Sequence, residues 1–555
     1  MRATFTIVGH YIGQNAAVFL QTVLGDDSSA SDRLILSGGT ASGTTGLEVV
    51  NLGGQGGATV LDGILVVQAL NGASSTDTAF ALFSPVAAGA FEYFLFKGGI
   101  SDGTSENWYL RSTLVASTDT PPPVIAPGPD PTQPDTDGPA PPAPPPIVPP
   151  PPPLPPAPPP PPEGVDEPNP EQPPPAPPAP PPEPPDVAPP TPPPPIPHVP
   201  EDPPSIPVPS QPDAPTPPAP PRPNPEAMPA TGAVIPLYRV ETPTYAVVPP
   251  VVHQLALASL GTFHERLGGQ ATMRNDGAVS AAWGRVIGQD VEQTWSGSVD
   301  PTFDGTLWGV QAGVDLHARE TDGGGREHVG VFVGRVRADG YVRGFALGWQ
   351  HLDTGTVELD DTHLGLSWTR VGPSGGYVDA VLMASRYDGE ASSVRGVGID
   401  LEGDGLTASI EAGLPIRWRP ESRWTLEPQW QVIWHRASFD DQDDAFARVS
   451  ISTDAALSSR IGLRFAGDFG QRHPWQPYLK LNLWHGFGGD DRVRLDADEI
   501  ATAQRYSALE LGGGLAAQLG RHVSLYFTLD HTRDVGNTAG TKRAWEGSLG
   551  LRAEW

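Results

Sequence analysis

Two acidic runs, 440–446 (DDQDDAF) and 488–499 (GGDDRVRLDADE), hold the densest sets of carboxylates in the chain. Calcium sites use such oxygens, but a calcium loop places them at fixed offsets, and neither run keeps that spacing. Charged loops between other elements are the plainer reading. His317, His328, His351 and His363 supply imidazoles, yet they are scattered over expected strand ends and loops, not set at the short spacings of a zinc site. His10 stands alone and reads as a packing or surface residue. No GxSxG, HExxH or catalytic serine motif occurs in Met1–Ser112, and no GxxxxGK[ST] phosphate loop occurs anywhere. The expectation is a chain that is not an enzyme, with no cofactor and no metal centre.

What the residue types do offer is a repeating surface. In the last stretch, RAWEGSLGLRAEW, every second residue back from the end (Trp555, Ala553, Leu551, Leu549, Gly547, Trp545) is apolar or small. The alternate set is Glu554, Arg552, Gly550, Ser548 and Glu546. A strand sends alternate side chains to opposite faces, so this strand has one oily and one charged face. The pattern recurs in His522–Thr532, in Tyr506–Leu519 and in Pro477–Phe487, where Leu479, Leu481 and Leu483 oppose Lys480 and Asn482. Runs of about ten residues match a tilted strand crossing a bilayer. A soluble sandwich would turn the charged faces to water; an outer-membrane barrel would turn them to its lumen.

Bulk composition narrows the setting. The chain has 555 residues, 70 of them proline, and no cysteine. Most prolines fall between Pro121 and Pro225, which divides the chain there. Absence of cysteine suits a protein that crosses an oxidising periplasm unfolded. A formal net charge of −30 argues against a nucleic-acid partner. No run of 18 or more apolar residues suggests a transmembrane helix. The N-terminus lacks a cationic segment followed by a clean apolar core, so a fragment of a longer secreted chain, or a misplaced start, is expected.

Taken in order, residues 1–112 read as short strands separated by Gly, Asn, Asp and Ser, a β-solenoid or sandwich. No strict period stands out, and the solenoid is favoured. Its aromatic last strands, with Phe91, Tyr93, Phe94, Asn107, Trp108, Tyr109 and Leu110, would cover an otherwise open end. Residues 113–230 form a Pro-rich linker or stalk in polyproline II, with a reach on the order of 300 Å. Docking of a Pro-binding partner is the minor alternative. In 231–270, PLYRVETPTYAVVPP reads as extended and VVHQLALASLGTFHERLGGQ as one helix stopped by Gly268 and Gly269. Val252, Leu255, Ala256, Ser259, Leu260, Phe263 and Leu267 would share one face; His253, Gln254, His264, Glu265 and Arg266 the other. Residues 271–555 give about twelve strands: 278–289, 305–317, 326–338, 355–371, 376–388, 404–418, 422–438, 457–470, 475–487, 504–520, 521–533 and 543–555. An even number of antiparallel strands closes a barrel without an edge. Trp283, Trp308, Trp368, Tyr377, Trp418, Trp424, Trp434 and Trp475 near strand ends suggest interfacial girdles.

With these residues in hand the chain resembles a type V autotransporter of the pertactin-like group. The likeness is carried by HYIGQNAAVFLQTVLGDDSSASDRLILSGGTASGTTGLEVVNLGG, by FEYFLFKGGISDGTSENWYLRS, by VPPVVHQLALASLGTFHERLGGQ, and by PYLKLNLWHGFGGDD with the terminal GLRAEW. The resemblance implies an all-β fold: a twelve-stranded outer-membrane barrel with an N-terminal pore helix, preceded by the end of a β-helical passenger. It implies that Leu549, Leu551 and Trp555 form a signal read by the barrel-assembly machinery, with periplasmic chaperones as earlier partners. Export would run C-terminus first, leaving Val251–Leu267 in the pore, with Val252, Leu255, Ser259, Phe263, Glu265 and Arg266 facing its wall. The segment ending at Leu110 would act as an autochaperone that nucleates passenger folding outside. Inward glycines such as Gly512 and Gly514 would make room for the helix. Some relatives cut the passenger free at an asparagine in the pore helix. Between Pro225 and Arg274 this chain has neither Asn nor Asp, which puts that chemistry in doubt.

The implied setting is a monomeric barrel in outer-membrane lipid, with passenger and stalk at the cell surface and a host-cell or matrix ligand for an adhesive passenger. A rival reading has the barrel export a passenger enzyme, an esterase or protease, whose catalytic part lies upstream of Met1. A plain porin is a third, weakened by the pore helix and the stalk.

Overall fold

The computed structural model describes residues 3–115, 234–269, 280–417, 419–470, 474–520, 522–536 and 540–555. All of them fall in one compact unit; the other unit, 121–213, lies outside the described residues, as does most of the expected stalk.

Twelve long strands form a closed antiparallel barrel: Ala281–Thr294, Thr302–Glu320, Arg326–Ala346, Trp349–Val371, Tyr377–Ser393, Gly398–Gly413, Trp424–Phe439, Ala456–Gly467, Trp475–Gly486, Tyr506–Gln518, Val523–Asp534 and Thr541–Glu554. Closure is made by the last strand on the first, in register from Ala281 against Glu554 to Thr294 against Thr541. The expected spans hold closely except at one end, where Arg326–Ala346 and Trp349–Val371 run to 21 and 23 residues. A bilayer crossing needs about ten, so these strands stand well clear of it. The two longest connections, 440–455 and 487–505, lie at the same end, the long-loop end, and carry the acidic runs; the opposite end, with 321–325, 372–376 and 519–522, is the short-turn end. The acidic runs build short hairpins at the long-loop end, such as Asp490–Leu495 with Asp498–Ala503.

Burial along the strands is inside-out. In the last strand Trp545, Leu549, Leu551 and Trp555 are at least half exposed, while Arg552 is 3% exposed and Ser548 and Lys542 are buried. Leu479 is 64% exposed and its neighbour Lys480 only 7%. A soluble sandwich would do the reverse. An exposed leucine band around a charged interior is the pattern of a barrel in lipid. Trp308, Trp368, Trp424 and Trp475 face outward, the side a girdle residue must take, and Trp434 is half-buried. Trp283 and Tyr377 are corrections: both point into the lumen, Trp283 against Gly313 and Phe332, Tyr377 onto Phe263. Trp418 lies outside the described residues.

The N-terminal part is a parallel β-solenoid. Thr4–Val8, Arg33–Ser37 and Ile64–Leu70 stack in parallel on one face. Tyr11–Thr22, Thr40–Asn51 and Phe80–Leu82 stack on a second. Leu20, Leu34, Leu36, Leu47, Ile64 and Val66 fill the space between. Phe91–Lys97 and Trp108–Arg111 then form an antiparallel hairpin on Ile64–Leu70, closing the stack. Parallel addition stops there.

Three helices follow the Pro-rich segment: α1 (Glu241–Ala246), α2 (Val248–Leu260) and α3 (Phe263–Leu267). The expected single helix from Val251 is thus longer at its start and broken near its end. ETPTYA was expected to be extended, yet it is helical because Pro243 falls in the first turn, where no backbone donor is required. The break is at Gly261, whose φ of 60° is poorly open to other residues and whose missing Cβ leaves room for the Arg285 guanidinium. Thr262 restarts the helix as half of a capping box with Glu265. Gly268, at φ 77°, ends it as expected.

Candidate functional site

The site is the barrel lumen and the helices that fill it. All of α1 and α3 and nearly all of α2 are buried, on every face. A two-faced helix was expected; a helix enclosed by a wall has no solvent face to offer. Where the wall is apolar the helix is apolar. Val248, Val251, Val252, Leu255 and Ala258 pack in one cluster with wall residues including Ile287, Val291, Leu307, Val336 and Leu359. This collar lies toward the long-loop end.

Toward the short-turn end the wall is charged and hydrogen-bonds the helix. Ser259 Oγ donates to Asp361 (2.6 Å), and the Ser259 carbonyl accepts from Arg285 and Gln311, both at 2.9 Å. Phe263 stacks on Tyr377 with ring centroids 4.2 Å apart, and its backbone N–H donates to Glu411 at 2.9 Å. His264 Nε2 meets Glu427 at 2.7 Å. Arg266 is ion-paired with Asp379, and its carbonyl accepts from the Tyr526 hydroxyl at 2.6 Å. Glu265 accepts from Lys480 at 2.5 Å while closing its capping box on Thr262 N–H. Lys480 also reaches Glu510 and Asp530, each at 2.9 Å.

Glu265, Glu510 and Asp530 are the three carboxylates that approach one another within metal-ligand distance among the described residues. The ammonium of Lys480 already stands among them as the countercharge. The acidic runs do other work: Asp444 accepts from Arg239 (2.6 Å) and from the Tyr245 hydroxyl (2.9 Å), and Asp498 accepts from Ala90 N–H (3.0 Å). Of the four histidines noted in the barrel, His363 departs from the strand-end expectation. It is buried in the lumen between Gln311 and Asp361.

Each expected pore residue, Val252, Leu255, Ser259, Phe263, Glu265 and Arg266, lies against the wall. What sequence reasoning missed is their partners: Asp361, Asp379, Glu411, Glu427 and Arg285. All occupy inward positions of strands, so a charged residue in the alternate set was the available signal. The expectation for Gly512 and Gly514 is corrected. A side chain at 512 would collide with Asp530, and one at 514 with Phe527 and Tyr478, so these glycines admit wall residues, not the helix. Leu549 and Leu551 face outward near the end of the closing strand, and Trp555 N–H donates to the Ser280 carbonyl at 3.1 Å. At the other terminus Phe91, Tyr93, Phe94, Trp108, Tyr109 and Leu110 are buried in the solenoid's closing hairpin, and Asn107 bonds Ala69 N–H at 2.8 Å.

An inside-out barrel threaded by a helix from its own chain matches the autotransporter beta-domain family model over residues 282–530. The autochaperone domain type 1 model matches residues 1–95. The chain belongs to the autotransporters. It is 26% identical over 584 residues to the adhesin BmaC autotransporter of Brucella suis biovar 1 (strain 1330), covering 100% of this chain and 14% of that protein. It is 30% identical over 307 residues to the pertactin autotransporter of Bordetella bronchiseptica, covering 54% of this chain and 31% of pertactin. The crystal structure of the transport unit of AIDA-I from Escherichia coli aligns at a TM-score of 0.47 and 17% identity, over 57% of this chain and 100% of that one. The chain therefore spans a minor part of the length of these two autotransporter relatives. Its barrel places it in the bacterial outer membrane.

Proposed function

We propose that this autotransporter exports and displays an adhesive β-solenoid passenger. The observation that carries export is the filled lumen: the chain runs from the solenoid into the pore, and its helix occupies the space a passenger strand would have crossed. Among the described residues a gap of about 60 Å³ lies beside the helix near Gln254, Gly261 and Lys542, room for a few waters, and a wider opening of about 440 Å³, lined by Glu427, Arg464 and Gln476, lies at the short-turn end. Adhesion is supported by the names of relatives, the adhesin BmaC autotransporter and the autotransporter adhesin AIDA-I, the latter 39% identical over 111 residues. In this reading the closing hairpin from Phe91 to Leu110 nucleates passenger folding outside the cell. Leu549, Leu551 and Trp555 present the outward edge that the assembly machinery takes up, after periplasmic chaperones have held the chain unfolded. The barrel works as a monomer, and the passenger's ligand is a host-cell or matrix surface.

Planar-bilayer conductance tests the export half. The full chain is expected to conduct weakly, and the chain lacking 241–267 strongly. Equal conductance would leave a plain porin. For the passenger half, cells displaying the whole protein should bind immobilised matrix proteins. Ester or peptide hydrolysis without binding would replace adhesion with a passenger enzyme.

A further inference from the structure

Thr113–Val115 pairs antiparallel with Val234–Pro236, from Thr113 against Pro236 to Val115 against Val234. The Pro-rich segment therefore leaves and returns at one place. Beyond the pair, the returning chain stays in the solenoid end. Glu92 N–H donates to the Leu237 carbonyl (2.9 Å) and Arg239 N–H to the Ala90 carbonyl (3.0 Å). From there it enters α1.

Barrel loops meet the solenoid at the same point. Arg395, in the turn between two strands, forks onto Glu241 through Nε and Nη2, each at 2.7 Å. Its Nη1 reaches Glu92 of the solenoid at 2.8 Å. Arg239 joins Glu241 (3.3 Å) to Asp444 (2.6 Å) and donates from Nε to the Gly89 carbonyl at 2.7 Å. Asp498, from a third loop, holds Ala90 N–H and packs over Gly56 and Gly89, where a side chain would collide with it.

Three acids and two arginines thus alternate as Glu92, Arg395, Glu241, Arg239 and Asp444. Arg239 and Glu241 are fully buried. Buried charges are tolerated only when their partners are all present, and loss of one leaves the rest uncompensated. These five come from four separate places: the solenoid end, the approach to α1, a tight turn and an acidic run. They come together only when the solenoid has folded, residues 234–240 have paired along its end, and α1 is seated in the mouth.

We propose that this alternating chain of charges is a completion latch. It seats the folded end of the passenger on the barrel mouth once export has finished, as a second closure above α2. The pairing of Thr113–Val115 with Val234–Pro236 then ties the solenoid end directly to the chain entering the mouth. The latch rests on the plugged-barrel reading above, and its test keeps the two apart.

Because the chain has no cysteine, an Ala90→Cys/Asp498→Cys pair reports seating without background. Cells displaying the full chain would be oxidised mildly, treated with protease to cut within 116–233, and run on non-reducing gels. Most of the solenoid fragment is expected to travel with the barrel until reduced. Arg395→Ala should lower the linked fraction several-fold, and Arg395→Lys less. Glu92→Gln, placed in the solenoid, should weaken linkage without touching the barrel. Heat-dependent gel mobility of the same samples scores barrel folding, so an unseated passenger is distinguished from an unfolded barrel. A folded barrel with no linkage, or linkage unchanged by both Arg395→Ala and Glu92→Gln, overturns the latch.

Discussion

α2 and α3 occupy one pore but are held by opposite means. α2 offers Val248, Val251, Val252 and Leu255 to an apolar collar, with polar contacts at His253, Gln254 and Ser259. α3 has a directional partner at each of its first four residues, Phe263 to Arg266. Apolar burial is non-directional and changes little if the helix slides. Ion pairs and hydrogen bonds in a low-dielectric lumen are lost by a shift of a few ångströms. The difference assigns affinity to α2 and register to α3. A chain moving through the pore would pass the collar with little hindrance and stop where Glu265 meets Lys480.

The largest effect is expected from Lys480→Met. It strips the countercharge from Glu265, Glu510 and Asp530 together, and breaking such a buried set costs about 3–5 kcal/mol. Bilayer recordings of the full chain should then show frequent large openings as α3 leaves its place. Lys480→Arg should restore much of the closed state. A quiet channel in Lys480→Met would remove the ionic seat from the argument.

Leu255→Ala should come next, at about 2–4 kcal/mol for a buried leucine in a packed collar. Here the prediction is one of kind: the temperature at which the plugged barrel unfolds drops, while α3 keeps its register. A Leu267→Cys reporter at the buried end of α3 should label equally in the Leu255→Ala and parent backgrounds, but faster with Lys480→Met. Equal labelling in all three would erase the distinction between the two seats.

Ser259 lies at the join. Ser259→Ala removes the donor to Asp361, which is buried, and should cost about 1–3 kcal/mol for the acceptor left short of a partner. Small openings midway between those of the parent and of Lys480→Met are the expected record.

The same contrast explains what the sequence disclosed. The alternation of Leu479, Lys480, Leu481, Asn482 and Leu483 is local, so the strand and its lumen face were both legible. That Lys480 meets Glu265, from far earlier in the chain, is a product of barrel closure and had no local sign. Trp283 was misplaced although Arg285, two residues on, marks its face as the lumen side: an aromatic near a strand end reads equally as a girdle or a lumen residue until the alternation is followed through Arg285, and a one-residue error reverses the reading. The solenoid hid its period for another reason. Thr4 pairs with Arg33 and Thr45 with Phe80, so successive turns differ in length and no fixed spacing recurs. Arg395 sits in SSVRGV, which reads as any charged turn; its significance depends on Glu92 and Glu241 arriving from elsewhere.

The smallest expected effect separates the mouth from the pore by pH. Burial raises the Asp498 carboxyl to about 6, with Asp496 adding repulsion and the Ala90 N–H opposing both. Because its acidity is weaker in the docked form than in the free chain, the docked form binds the extra proton. Its contribution is full below the ordinary carboxyl range and is lost as pH rises through about 6. Partial exposure to solvent reduces the effect to about 1 kcal/mol. Retention of the solenoid on the barrel after protease cuts within 116–233 should therefore be greater at pH 5 than at pH 7.5. Asp498→Asn keeps an acceptor for Ala90 and has no proton to lose, so it should flatten that dependence and leave the conductance of the plugged pore unchanged. A pH dependence that survives in Asp498→Asn would place the titrating group elsewhere among the charges at the mouth.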